Sequence, residues 1–294
     1  MGVFFFGMGY SSLATAHAIH EIIDTDVPIA GTTRTEEGVE RLAESPYRLH
    51  VFDGMKRGAT LGADLGKASH VVLSIPPNDN GDPALNLHAD DLLAAPDLQW
   101  LCYFSTVGVY GDFGGEWIDE TAPTRPINKR SQQRVEVEQR WAEFAARRGV
   151  PLLVLRLAGI YGPGRSSFDK LREGTARRII KQGQVFNRIH VADIASTVEA
   201  SIAHPRQGAI YNVADDHPAP PDEVIAYAAE LAGLPLPPAI TFKEADLTPM
   251  ARSFYEGNRR IANKLIKSEL GVRLAFPTYR DGLAAILKDD GVGD

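Results

Sequence analysis

Short apolar runs recur along the first half of the chain, separated by stretches with helical spacing. The runs Val3–Phe6, Pro28–Thr32, Leu49–Phe52, His70–Ile75 and Trp100–Ser105, followed later by Leu152–Leu157 and Ile210–Val213, are rich in Val, Ile and Phe. They are apolar almost throughout rather than alternating, as expected of parallel strands covered on both faces. Between them Leu13–Ile23, Glu36–Ala43, Leu85–Ala94 and Gln132–Arg147 carry helical patterns. Strand, helix, strand repeated in this way predicts an α/β fold built on a doubly wound parallel sheet.

The texture changes after Tyr161. From Gly162 to Val185 the chain is rich in Gly, Arg and Lys and shows no clear strand. A helix is expected at Val191–Ala203, then the last sheet-like run, then the proline-rich Pro218-Ala219-Pro220-Pro221. Beyond it come a helical pattern at Asp222–Ala232, a second proline cluster (Pro235, Pro237, Pro238) and two C-terminal helical patterns. The expected organisation is a sheet domain from 1–161 and 189–215, with a smaller, discontinuous α-rich domain from 162–188 and 216–294.

Composition narrows the partners. The net charge of −7 and the short basic runs (Arg147-Arg148, Arg177-Arg178, Arg259-Arg260) argue against a nucleic-acid binder, which needs a basic stripe. Cys102 is the only cysteine and lies in an apolar run, so it reads as a buried, inert thiol in a chain without disulfides. Val3–Phe6 is too short for the apolar core of a signal peptide, and no apolar stretch approaches the ~18 residues of a membrane span. The expectation is a cytoplasmic protein that engages neither nucleic acid nor membrane.

The first strand runs directly into Gly7-Met8-Gly9-Tyr10-Ser11-Ser12 and then a helical pattern. This is the setting of a phosphate-binding turn. Gly7 makes the tight turn, Gly9 lets the backbone approach a pyrophosphate, and Ser12 is small enough for close helix–strand packing. The helix N-terminus then offers N–H groups and a positive dipole end to the phosphates. A Rossmann domain binding a nicotinamide dinucleotide follows as the expectation. The second strand ends at Gly31-Thr32-Thr33-Arg34 without the carboxylate that usually receives an NAD ribose hydroxyl. Arg34 is suited to a 2′-phosphate, so NADP is preferred to NAD. Asp53, after the third strand, is placed either to reach the adenine or to close a turn. Ser74, Ile75 and Pro76, ending the fourth strand, should line the cofactor groove.

The fifth strand opens a longer series. It reads Tyr103-Phe104-Ser105-Thr106-Val107-Gly108-Val109-Tyr110-Gly111, followed by Asp119-Glu120 and Pro123. Later come Leu155-Arg156, Gly159-Ile160-Tyr161-Gly162-Pro163-Gly164, Ile189-His190-Val191-Ala192-Asp193 and Tyr211-Asn212-Val213. In this order the series resembles the extended short-chain dehydrogenase/reductases, specifically the NAD-dependent epimerase/dehydratase family, over residues 2 to about 215. The resemblance implies a nicotinamide cofactor contacted by Gly7, Gly9, Tyr10, Ser11, Ser12, Thr33, Arg34, Asp53, Ser74, Ile75, Pro76 and Ser105. It implies chemistry by a Ser/Thr, a Tyr and a Lys, the last two as Tyr-x-x-x-Lys on one helix face. Thr106 matches the Ser/Thr position.

The other two positions depart from the pattern. None of the nine tyrosines has a lysine four residues on. Aligned on Glu138, Arg130 takes the tyrosine position and Arg134 the lysine position. A guanidinium, with a pKa above ~12, cannot shuttle a proton, although Arg134 is able to hold a ribose or an anion. Thr106, Arg130, Arg134 and Tyr161 form the candidate catalytic group, with Tyr110 and His190 as further ionisable neighbours. Arg156, Arg165, Lys170, Arg172, Arg177, Arg178 and Lys181 are candidates to receive an anionic substrate or to be solvated. His17 and His20, three apart, and Asp215-Asp216-His217 have metal-like spacing but read more simply as a helix face and a polar turn.

Two functions remain open. One is an oxidoreductase or epimerase-like enzyme with a non-standard site, acting on an anionic sugar or nucleotide sugar. The other is a non-catalytic NADP(H)-binding sensor. The resemblance also implies a homodimer through the helices at Leu85–Ala94 and Gln132–Arg147, with Val135, Val137, Trp141 and Phe144 serving either that interface or the protomer's own core.

Overall fold

The computed structural model describes residues 1–23, 26–206 and 208–291. Seven strands form the main sheet: β1 (Val3–Phe6), β2 (Ile29–Thr33), β3 (Arg48–Val51), β4 (His70–Leu73), β5 (Trp100–Thr106), β6 (Leu152–Leu157) and β7 (Ala209–Val213). Their spatial order is β7-β6-β5-β4-β1-β2-β3. β1 pairs in parallel with both β2 and β4, so the strand order reverses beside it, which is where open α/β sheets receive ligands. All four residues of β1 are buried, which accounts for its unbroken apolar run.

Among the described residues the longer helices are α1 (Tyr10–Ala18), α2 (Pro83–Ala94), α3 (Lys129–Arg148), α4 (Val191–Ala203), α5 (Pro221–Leu231) and α6 (Tyr279–Asp289). Local chemistry sets several starts. Asp82 caps α2 by accepting from Leu85 N–H at 2.9 Å, and Pro83 fills the first turn, where a missing N–H costs nothing. Thr278 and Asp281 form a capping box at α6. The expected helix Leu13–Ile23 begins earlier, at Tyr10, and its end, Ile19–Ile23, winds into a wider π-type turn.

The chain forms two compact units. The first comprises Met1–Thr106, Lys129–Arg156 and Ile194–Tyr211; the second comprises Val107–Asn128, Leu157–Asp193 and Asn212–Asp294. These boundaries differ from those expected. Residues 107–128 belong to the second unit because Trp117-Ile118 pairs with Arg260-Ile261, and Phe113 N–H donates to Asn258 C=O at 2.9 Å. Residues 157–161 and 189–193 join it too, through the parallel pair Gly159–Tyr161 and Arg188–His190. The stretch expected to lack a strand contains one, Arg178–Ile180, paired with Ala239–Thr241.

Each unit has its own core. In the first, Phe4, Phe6, Leu73, Leu101 and Tyr103 pack with Val137, Trp141 and Phe144 of α3. Those three α3 residues are therefore spent inside the protomer, and the outer face of α3 carries Arg130, Gln132, Glu136, Gln139, Arg140 and Glu143. In the second, Tyr161, Phe168, Val224, Tyr279, Leu283 and Ile286 form the cluster. Cys102 is fully buried, and burial pushes its thiol well above the usual range. No helix among the described residues is long and apolar enough to cross a membrane.

Candidate functional site

Most of the expected cofactor residues lie at the carboxyl ends of β1, β2 and β4; Asp53 follows β3 and Ser105 lies in β5, all in the first unit. Gly7 has φ +98°, a conformation that disfavours any side chain, and a Cβ there would stand 2.8 Å from Ser74 Oγ. Ser74 Oγ donates to the Gly7 carbonyl at 2.8 Å, Ser12 Oγ donates to Ser74 Oγ at 2.9 Å, and Gly7 N–H donates to Thr32 Oγ1 at 2.9 Å. The fold itself thus demands Gly7 and ties the turn to β2 and β4.

Gly9 is different. Its φ of −87° suits any residue, it is exposed, and a Cβ built on it meets nothing within 4 Å. The fold gives no internal reason for a glycine, and no side chain caps α1 there. The bare surface over the helix N-terminus fits a pyrophosphate, because a side chain would occupy the space through which the backbone approaches it. Tyr10 and Ser11, half-buried, open the helix.

At the end of β2, Thr33 is buried and its hydroxyl donates to the Thr35 carbonyl at 2.9 Å, while Arg34 is exposed. Asp53 is exposed, and its Oδ1 accepts from Met55 N–H at 2.8 Å, so this carboxylate closes a turn. Ile75 is half-buried and Pro76 exposed just beyond β4.

Thr106 is the last residue of β5 and half-buried. Two polar clips from α3 fix the strand end that carries it. Arg134 Nη1 donates to Tyr103 Oη at 2.8 Å and to the Phe104 carbonyl at 2.7 Å. One helical turn on, Glu138 accepts from Ser105 Oγ and forms a buried ion pair with Arg156 of β6, Nη2 to Oε2 at 2.7 Å. Ser105 is therefore a buried structural donor, not a group facing a ligand. Arg130 is exposed at the start of α3.

Tyr161 is a packing residue. It lies in the core of the second unit against Gly282, and its hydroxyl donates to the Thr278 carbonyl at 3.4 Å. Burial, reinforced by Asp215 and Asp193, pushes its pKa upward, which removes it as an acid or base near neutrality. Burial holds His190 down at about 4, so it is neutral there. Tyr110 Oη donates to Asn212 Oδ1 at 2.8 Å.

Most of the basic residues singled out in the sequence have internal work. Arg156 pairs with Glu138 and Arg172 with Asp290; Arg177 and Arg178 donate to backbone carbonyls, and Lys181 to that of Tyr255. Sequence reasoning passed over Arg188, which the structure places in the short strand Arg188–His190. His17 Nδ1 lies 3.1 Å from Tyr47 Oη, and Asp215 Oδ1 accepts from His217 N–H at 3.1 Å within a polar turn. Among the described residues no group of three or more His, Cys, Asp or Glu is placed to hold a metal ion.

Comparison with known proteins adds the following. The family model described as the NAD dependent epimerase/dehydratase family matches residues 91–214. A structure described as a functionally unknown conserved protein from Silicibacter pomeroyi DSS is 46% identical, covers 98% of this chain and 99% of that one, and superposes with a TM-score of 0.86. Protein YeeZ of Escherichia coli (strain K12) is 28% identical over 206 residues, spanning 65% of this chain and 70% of its own length. The dTDP-glucose 4,6-dehydratase of Bacillus anthracis, solved in complex with NAD, shares 17% identity at a TM-score of 0.77, covering 100% of this chain and 97% of that one. At that identity the likeness is one of fold.

Proposed function

Because the chain belongs to the NAD dependent epimerase/dehydratase family, we propose that it binds a nicotinamide dinucleotide at the Gly7–Ser12 turn and acts on an anionic sugar or nucleotide sugar with a non-standard active site. Gly9 carries the reading: it is a glycine that the fold does not need, at a helix N-terminus that a pyrophosphate does. NADP is the preferred cofactor, since the end of β2 offers an exposed Arg34 and a buried Thr33 in place of a carboxylate.

When bound, the dinucleotide supplies the hydride acceptor or donor. Thr106 contributes a hydroxyl at the strand end, held in place by the Arg134 and Glu138 clips. Arg134, with Nη1 committed to Tyr103 and Phe104, keeps a fixed positive charge beside that strand end. Arg130, exposed at the start of α3, contributes a guanidinium and no group suited to proton transfer.

The same commitment of Arg134 favours a second reading, a sensor that binds NADP(H) without turnover, because neither helix position holds a group that titrates near neutrality. Two measurements separate them. Titrations with NADPH and NADH, followed by nicotinamide fluorescence, should show NADPH about tenfold tighter, and Arg34→Ala should erase the difference. A sugar-nucleotide panel followed by nicotinamide absorbance should then give turnover that Thr106→Ala abolishes. Binding without turnover selects the sensor, and a folded protein that binds neither dinucleotide overturns both readings.

A further inference from the structure

The segment 53–60, between β3 and the short helix Gly62–Leu65, is held down almost without packing. It has no strand or helix of its own, none of its residues is buried, and Met55 is 86% exposed. A segment with so little apolar burial opens at low free-energy cost unless polar ties hold it.

The ties run mainly to α2. Gly54, at φ +77°, lies so close to that helix that a Cβ would stand 3.0 Å from Pro83 Cβ. Arg57 pairs with Asp91, and Gly58 N–H donates to His88 Nε2 at 3.2 Å. His88 is 1% exposed and packs against the rings of Phe6 and Phe52, at 5.7 and 5.0 Å between centroids. A further tie joins Thr60 Oγ1 to His50 Nδ1 at 2.8 Å. The Thr60 hydroxyl accepts as readily as it donates, so that tie is indifferent to the charge of His50.

Proton placement at His88 is dictated by its partners. Nδ1 lies 2.7 Å from Asp91 Oδ2, an acceptor, so Nδ1 carries the proton and Nε2 offers its lone pair to Gly58. Protonation at Nε2 would set one N–H against another and cancel that bond. It would also leave two cations, the imidazolium and Arg57, on the single Asp91 carboxylate. Burial lowers the His88 pKa; Asp91 opposes that shift without cancelling it, and Arg57 adds to it. From β1 and β3 the ring is faced by Phe6 and Phe52, which do not titrate. Lifting the segment rehydrates the ring and restores its ordinary value, so opening takes up a proton and acid favours it.

We propose that segment 53–60 is a pH-sensitive strap, latched onto α2 by neutral His88 and freed when that ring is protonated, and that its release weakens dinucleotide binding. The link to the ligand is the root of the strap. Phe52 N–H, just before it, donates to the Thr33 carbonyl at 2.8 Å, so the strap leaves the sheet beside the strand end that carries Arg34. This half of the inference rests on the reading above that a dinucleotide lies there; the latch itself does not.

A Met55→Cys chain carries one exposed thiol, because Cys102 is fully buried, and a fluorophore attached there reports the strap's mobility. Its anisotropy should fall on acidification from about pH 8 to about pH 5, with a midpoint below the ordinary imidazole value of 6.5. With His88→Gln added, which keeps an acceptor oxygen and cannot titrate, anisotropy should stay high throughout. With His88→Phe, which has no acceptor, it should start low and stay low. If His88→Phe fails to fold, His88→Gln decides. No fall in the parent chain, or the same fall in His88→Gln, would overturn the latch. Calorimetry on the unlabelled chain should show NADP affinity dropping about fivefold over the same span, as the latched form is depleted. The His88→Gln profile carries any titration of the cofactor's own phosphates. An affinity that does not drop, or that drops equally in His88→Gln, would overturn the coupling. Strap release in a chain that binds no dinucleotide at any pH sinks the proposed function and leaves the latch; dinucleotide binding beside a strap that never releases sinks the latch alone.

Discussion

The two units differ in how they hold buried charge. In the first, several ionisable side chains taken out of water are matched, Glu138 with Arg156 at 2.7 Å, His50 with Asp64 at 2.8 Å and His88 with Asp91 at 2.7 Å, while Asp82 is buried as a helix cap that accepts from Leu85 N–H. In the second, Arg188, Asp215, His190 and Arg259 are desolvated without an ion-pair partner of that kind, while the pairs Arg172–Asp290 and Lys267–Asp216 lie at the surface. In the first unit the exposed turn at Gly9 is backbone, and the buried side chains behind it lock the scaffold.

Breaking a matched charge should have the largest effect. Glu138→Ala leaves Arg156 buried without its carboxylate and removes the acceptor for Ser105, at a cost of about 3–5 kcal/mol. Chemical denaturation should show it, and Glu138→Gln, which keeps one acceptor oxygen for Ser105 Oγ and Arg156 Nε but loses the acceptor for Arg156 Nη2, should cost less. A loss below about 1 kcal/mol would mean that the pair is not the clip described.

The unmatched side gives a pH test. The Asp215 carboxyl sits at about 7 in the fold, against an ordinary value near 4 in the unfolded chain. Between those values the unfolded chain releases a proton that the folded chain keeps, so this group lowers stability as pH rises from about 4 to about 7. Asp215→Asn should flatten that decline, by on the order of 2 kcal/mol across the window, in thermal melts at stepped pH. His190, held at about 4, acts in the opposite sense below its unfolded value near 6.5, where the unfolded chain takes up a proton first.

The two turn glycines sharpen the contrast between scaffold and surface. Gly7→Ala forces a side chain into a positive-φ site beside Ser74 and should destabilise by about 1–3 kcal/mol. Gly9→Ala should change stability by less than about 0.5 kcal/mol, yet weaken dinucleotide binding severalfold, because the added methyl meets only the ligand. Tyr161→Phe gives up one long hydrogen bond at 3.4 Å and should cost under about 1 kcal/mol with turnover unaltered. A turnover loss with the fold intact would return Tyr161 to the catalytic group.

The strands of the main sheet were legible because burial on both faces writes itself into sequence as an unbroken apolar run, as at Val3–Phe6 and Leu152–Leu157. The pair Arg178–Ile180 and Ala239–Thr241 was not. These strands are short and mostly polar-flanked, and each exists only through a partner far along the chain. The split between units escaped for the same reason, since residues 107–128 leave the sheet domain by pairing with 258–261. The sequence left a run such as Arg177-Arg178 open between a ligand and solvent, and the fold delivers the carbonyls of Ala176 and Pro237 to it.

The Gly7–Ser12 turn belongs to what the sequence determined by itself, along with the sheet, the family and the loss of the Tyr-x-x-x-Lys pair. These depend on residue type and local spacing, which the chain carries everywhere. The tertiary structure alone decided that the fold needs Gly7 and makes no demand for a glycine at Gly9. It likewise decided that Arg134 and Glu138 clamp β5, and that Arg188 spends Nη1 on the carbonyls of Phe186 and Ala219. Partnering and desolvation are properties of contacts between distant segments, and no local pattern records them.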